Sequence, residues 1–204
     1  PNAGSIRIAG EPLRRPRPHT GLIIQEYGLL PWATVRENAA LGLRLRDFYG
    51  PDGVHAPLGD PRRKGDLDVE PWLERLGLHE VAERYPAKIS GGQRQRTAIA
   101  RTLALQPDLL LMDEPFSSLD APTREGLQRL TLELRAETGL TLVTVTHAIE
   151  EAAVLGERIL LLGAAPNRAA QVLENPGAAR ADHRESDEYR AVCRELRARL
   201  GSAA

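Results

Sequence analysis

Apolar positions along this chain recur with two periods, and each period predicts an element. Ser5-Ile6-Arg7-Ile8 alternates between Gly4 and Gly10 and reads as a short strand with turns at both ends. Leu22-Ile23-Ile24 reads as a short buried strand ending at Gln25. Thr34 caps a helix carrying Val35, Asn38, Ala39, Leu41 and Leu43. A second helix starts near Val69, its face made by Trp72, Leu73, Leu76 and Leu78, and a third covers His79–Tyr85 and stops at Pro86. Arg94–Leu105 is helical, with Ile99 and Leu103 one turn apart, and Gln106-Pro107 ends it. Leu109–Met112 is an unbroken apolar run, as in a parallel strand buried on both faces. Pro122 opens a helix with a Leu127, Leu130, Leu134 stripe, and Gly139 closes it. The β-branched Thr141–Val145 is a strand, followed by a helix from Glu150 and Glu151 to Gly156 and a strand at Arg158–Leu162. Ser186 caps a last helix bearing Tyr189, Val192, Cys193, Leu196 and Leu200.

Between these elements lie stretches without a period. Residues 11–20 hold Pro12, Pro16 and Pro18 among three arginines and read as an irregular connection. Residues 48–66, rich in Gly and Pro, read as a loop with no assignable function, and residues 163–185 as a loosely structured connection. At 204 residues the chain suffices for one domain with a sizeable core. A formal net charge of −1 gives no bulk reason to bind nucleic acid. Cys193 is the only cysteine, which excludes an intrachain disulfide, and no apolar run approaches a membrane span.

Four places carry candidate chemistry. Ser90-Gly91-Gly92-Gln93 opens a helix, and its exposed amides and dipole favour an anion; it also fits an ordinary turn into a helix. Asp113 and Glu114 end an apolar strand, where open α/β sheets bind ligands. Carboxylates there need a partner, which a Mg²⁺–nucleotide would supply, unless the turn is simply solvated. Leu29, Leu30, Pro31 and Trp32 form either an exposed patch that receives a partner helix or a small core cluster under a loop. His147 follows a strand, where a lone histidine is more often structural, and His79 reads as a surface residue.

Together these segments resemble the ATP-binding subunits of ABC transporters. Ile89–Gln93 is similar to the signature motif, with Ile where Leu is usual. Leu109–Glu114 is similar to the Walker B strand with its glutamate, Ser117-Ser118-Leu119-Asp120 to the D-loop, and Gln25–Trp32 to the Q-loop of nitrate/sulfonate/taurine-type importers. The resemblance implies an α/β, P-loop NTPase-like ATPase domain with a helical subdomain, divided as 1–32, 33–88, 89–163 and 164–204. It implies that Asp113 holds Mg²⁺ through water, that Glu114 polarises the attacking water, and that Gln25 and His147 position metal and γ-phosphate. Ser90, Gly91, Gly92 and Gln93, with Asp120 in the D-loop, would complete the ATP site of a second subunit. Implied partners are that second subunit, membrane permease subunits docking near Tyr27, Leu29, Leu30 and Trp32, and indirectly a solute-binding protein, at the cytoplasmic face of the cell membrane and without nucleic acid. The solute expected from the Q-loop wording is a small anion such as sulfonate, nitrate or taurine.

One part of the pattern is absent. G-x-x-x-x-G-K-[ST] requires a lysine followed by Ser or Thr, but Lys64 precedes Gly65 and Lys88 precedes Ile89. With a start at Pro1, this leads us to expect a chain missing the upstream Walker A portion and inactive as it stands. The rivals are a catalytically silent or truncated regulatory subunit and a non-transport ABC ATPase. The second predicts a coiled-coil insertion or basic arm that the sequence lacks.

Overall fold

A computed structural model describes residues 4–14, 17, 19–49, 68–163, 170–178, 180 and 182–201, with only the backbone of 46–49. They fall into two compact units, residues 1–23 with 27–111 and residues 24–26 with 112–204.

The first unit opens with a hairpin. Strands β1 (Arg7–Ile8) and β2 (Glu11–Pro12) pair antiparallel, Ile8 opposite Glu11, around a turn in which Ala9 and Gly10 both have positive φ. Strand β3 (Thr20–Ile23) buries Gly21 and Ile23, whereas Leu22 and Ile24 are exposed, so the strand is buried on one face rather than two. Helix α1 (Val35–Tyr49) starts at a capping box: the Thr34 hydroxyl accepts from the Glu37 amide at 3.2 Å and the Glu37 carboxylate from the Thr34 amide at 2.8 Å. It runs through Tyr49; of the loop expected over 48–66, residues 50–66 lie outside the described residues. Helix α2 (Glu70–Arg75) buries Leu73 and is followed by 3₁₀ turns at His79–Val81 and Pro86–Lys88, shorter than the helix expected over His79–Tyr85. Helix α3 (Gly91–Leu103) packs on α1 and β3 and carries the buried Ala98, Ile99, Ala100 and Leu103. It lies so close to β3 that a Cβ built on Gly21 would sit 2.2 Å from the Thr102 methyl. Arg17 clamps the start of the next strand through two hydrogen bonds to Asp108, at 2.8 and 2.6 Å.

Strand β4 (Leu109–Asp113) begins in the first unit and ends in the second, and β3, β4 and β5 (Thr141–Val145) hydrogen-bond in that order. The His19 carbonyl accepts from the Asp108 amide at the entry to β4, and the Val145 carbonyl accepts from the Glu114 amide at its exit. Like ends therefore meet like ends, and the sheet is parallel.

In the second unit, helix α4 (Ala121–Thr138) ends on Gly139 at φ 68°, the left-handed cap that a residue without Cβ supplies at low cost. Helix α5 (Ile149–Leu155) and helix α6 (Asp187–Gly201) pack together, with Ala153, Cys193 and Leu196 buried beside Ile159 and Leu173. Those last two belong to β6 (Arg158–Leu161) and β7 (Gln171–Glu174), an antiparallel pair with Ile159 opposite Leu173. Strand β7 lies inside a stretch expected to be loosely structured; its pairing with β6 orders it. Asn175 closes α5, its side-chain amide donating to the carbonyls of Ala153 at 2.8 Å and Gly156 at 2.9 Å.

Candidate functional site

The C-terminal ends of β4 and β5 bring two of the expected residues into contact. His147 Nδ1 lies 2.6 Å from Glu114 Oε1. Glu114 reaches it from a residue in the left-handed region, at φ 47°. Three hydrogen bonds hold that conformation: the Glu114 amide donates to the Val145 carbonyl at 2.9 Å, and its carbonyl accepts from the Ser117 hydroxyl at 3.1 Å and the Ser117 amide at 3.4 Å. The hydrogen bond to Glu114, and its charge, raise the His147 pKa above the ordinary imidazole value. His147 is exposed and Glu114 half-buried, so the carboxylate is shielded while the ring meets solvent. The pair can abstract or hold a proton, and the imidazole keeps its second nitrogen for another acceptor or donor.

Asp113, one residue earlier, is exposed and has no cationic partner among the described residues. No cluster of three or more potential metal-ligand side chains occurs among those residues. A single hard carboxylate still fits Mg²⁺, which is commonly held by one or two carboxylates with water and phosphate oxygens. Gln25 is exposed and groups with the unit that contains Asp113, Glu114 and His147. Asp120, expected on the D-loop, caps α4: its carboxylate accepts from the Thr123 amide at 3.3 Å, which lowers its pKa. Next to it, Arg124 donates to the Leu119 carbonyl at 2.6 Å.

In the first unit Ser90 caps α3 in a reciprocal box. Its hydroxyl accepts from the Gln93 amide at 3.2 Å, and the Gln93 carbonyl oxygen accepts from the Ser90 amide at 2.9 Å. The hydroxyl proton and the Gln93 NH₂ group are not used in this box, so both remain available to an anion. The segment before α1 is fixed from two sides. Arg101 donates to the Gly28 and Tyr27 carbonyls, both at 2.7 Å, and buried Asn38 accepts from the Leu30 amide at 2.8 Å and donates to the Ala33 carbonyl at 3.0 Å. This presents Trp32 to solvent, 73% exposed, with Leu29 and Leu30 half-buried. Tyr27 departs from the expected docking patch: at 6% exposure it belongs to the core, in a turn where it and Gly28 both have positive φ.

The sequence did not reveal the burial of Glu151 or the contact of Arg124 with the Leu119 carbonyl. Glu151 stands in the first turn of α5, where the sequence places it, yet it is 4% exposed on the same face as Val154 and Leu155. Burial raises its pKa to about 7. The available signal was a carboxylate at i, with Val154 and Leu155 at i+3 and i+4. For Arg124 the signal was a cation in the first turn of a helix, against the dipole.

A family model described as ABC transporter matches residues 1–117. The taurine import ATP-binding protein TauB of Chromobacterium violaceum is 39% identical over 192 residues, 94% of this chain and 68% of that protein. The aliphatic sulfonates import ATP-binding protein SsuB of Bacillus cereus is 41% identical over 172 residues, 84% of this chain and 62% of that protein. This chain thus spans between about three-fifths and two-thirds of these relatives. Among solved structures, a post-hydrolysis dimer of the ATP-binding cassette MJ0796 bound to ADP and Pi superposes with a TM-score of 0.62 at 33% identity, covering 84% of this chain and 74% of that one.

Proposed function

Because this chain belongs to the ABC transporter family of ATP-binding proteins, we propose that it is part of the ATP-hydrolysing subunit of an importer for a small anionic solute such as a sulfonate, taurine or nitrate. The observation that carries this reading is the 2.6 Å contact between Glu114 and His147 at the ends of two parallel strands, next to the exposed Asp113. In this reading Glu114 takes the proton of the attacking water. His147 holds the carboxylate in place and offers its other nitrogen to the γ-phosphate. Asp113 and Gln25 would hold Mg²⁺, which would supply charge neutralisation at the phosphates. Ser90, Gly91, Gly92 and Gln93 present a helix start, a hydroxyl and an amide to the ATP of a second subunit, and Asp120 is a D-loop residue that binds nucleotide. Leu29, Leu30 and Trp32 form the docking face for a permease subunit at the cytoplasmic side of the membrane. The division at 33–88 marks the helical subdomain. No helix among the described residues is long and apolar enough to cross a membrane.

The test is Glu114→Gln in the protein expressed from its complete reading frame. ATP binding persists and turnover falls ~10²–10⁴-fold, the usual worth of a positioned general base. Turnover close to that of the wild type removes Glu114 from the chemistry. A second reading, a silent regulatory subunit, is favoured by the absence of G-x-x-x-x-G-K-[ST] from these residues. It predicts no turnover even with Glu114 in place.

A further inference from the structure

Helix α3 carries arginines that reach backbone carbonyls in three different segments. Arg94 donates to the Ile89 carbonyl at 3.0 Å and the Pro86 carbonyl at 3.4 Å, Arg96 to the Leu76 carbonyl at 3.1 Å, and Arg101 to the Tyr27 and Gly28 carbonyls, both at 2.7 Å. Arg101 is half-buried, and no carboxylate pairs with it among the described residues. Its two acceptors are successive residues at φ 63° and 58°, so one planar guanidinium spans a left-handed turn of main chain. From α1, the fully buried Asn38 accepts from the Leu30 amide at 2.8 Å and donates to the Leu30 and Ala33 carbonyls at 3.1 and 3.0 Å. Helix α1 is itself held against α3 at the level of Arg101. A Cβ built on Gly42 would lie 2.9 Å from Leu105 Cδ1 and 3.2 Å from the Arg101 carbonyl oxygen.

We propose that Arg101 is a positioning residue that joins the docking segment Leu29–Trp32 to α3, so that a partner seated on that segment shifts the Ser90–Gln93 helix start at the other end of the same helix. What binds at each end rests on the ATPase reading above; the joint itself rests on hydrogen bonds. At the start of α3, Ser90 and Gln93 close their reciprocal box, and Arg94 ties the preceding 3₁₀ turn to the helix. From Gln93 to Arg101 the helix rises about 12 Å. A hydrogen-bonded helix packed on its neighbours does not stretch over that length, so a displacement imposed at Arg101 reaches the helix start. A cation drawn out of water is costly unless its donors are satisfied. Here main-chain carbonyls satisfy them, so the group that Arg101 fixes is backbone rather than another side chain. Lysine in its place would supply the charge but not the planar fork that meets two carbonyls at once.

The test uses the protein expressed from its complete reading frame, with Cys193→Ser, other native cysteines likewise replaced, and spin labels on Leu29→Cys and Lys88→Cys. Lys88 is exposed in the 3₁₀ turn that Arg94 ties to α3, so the pair reads the distance from docking segment to helix start. Pulsed electron resonance is recorded with Arg101 intact, with Arg101→Met and with Arg101→Lys, each with and without Mg·ATP. Melting temperature is measured for each protein, and Mg·ATP binding by calorimetry. With Arg101 intact the distance distribution is narrow and unmoved by Mg·ATP, because both ends travel together. Arg101→Met broadens it by ~2 Å or more, the scale of a loop rearrangement. Arg101→Lys regains the melting temperature but not the narrow distribution. A broad or nucleotide-shifted distribution with Arg101 intact overturns the joint, as does an equally narrow one in Arg101→Met. Full recovery by Arg101→Lys overturns the role of the fork, and that variant decides alone where Arg101→Met does not fold. Absence of Mg·ATP binding ends the ATPase reading, whereas the distances decide the joint without nucleotide.

Discussion

His147 and Glu151 both bind protons more tightly in the folded chain than in an unfolded one, but they act in different pH windows. For His147 the raised pKa means that the stabilisation is fully present below the ordinary value of 6.5 and is lost as pH rises through the folded value. For Glu151, raised from 4.5 to about 7, the folded state keeps a proton that the unfolded state releases, so stability declines across that interval and levels off above it. Thermal melting followed from pH 4 to 8 should therefore show a decline in two overlapping parts. Glu151→Gln should flatten the lower part, and Glu114→Gln, which takes away the negative charge beside His147, the upper part. Parallel curves for all three proteins would exclude both assignments. The placement of residues 113, 114 and 147 at strand ends was legible because acidic and imidazole groups follow strands that sequence marks by apolar run and β-branching. The burial of Glu151 was not, because an acid in a first turn already has a sufficient local explanation in the helix dipole.

Elements whose caps are local were the most legible. Thr34, Ser90, Gly139 and Ser186 each occupy the end that sequence assigned them, since a cap is decided within four residues. Strand β7 was not legible: Gln171-Val172-Leu173-Glu174 is four residues long, and what makes it a strand is β6 opposite, not its own pattern. The exposure of Leu22 and Ile24 was equally hidden, because an apolar triplet does not say which of its faces is covered. Trp32 gives a prediction at this scale. Arg101 and Asn38 hold its segment through main-chain groups, and the indole itself is exposed. Trp32→Ala should leave the denaturation midpoint nearly unchanged, within ~0.5 kcal/mol, yet weaken permease docking by ~2 kcal/mol or more, measured by co-purification and uptake. A substantially lower midpoint would make Trp32 a packing residue and end the docking reading.

At the scale of the whole chain, parallel strands deliver reactive groups at their C-terminal ends, while the sequence contains no glycine-rich loop ending in Lys-Ser or Lys-Thr to wrap a triphosphate. A polypeptide of these 204 residues should bind Mg·ATP more weakly than ~1 μM; calorimetry showing micromolar or tighter binding would require a phosphate cradle of another kind. The backbone of Glu114 has a further consequence. A non-glycine residue held at φ 47° carries conformational strain of ~1–3 kcal/mol, which Asn or Gly at the same place would largely relieve. Glu114→Asn should therefore melt at a higher temperature than the wild type while losing turnover. A laboratory selection that rewarded heat resistance alone would drift away from glutamate at this position. Its persistence under such pressure would signal that the organism still depends on the reaction.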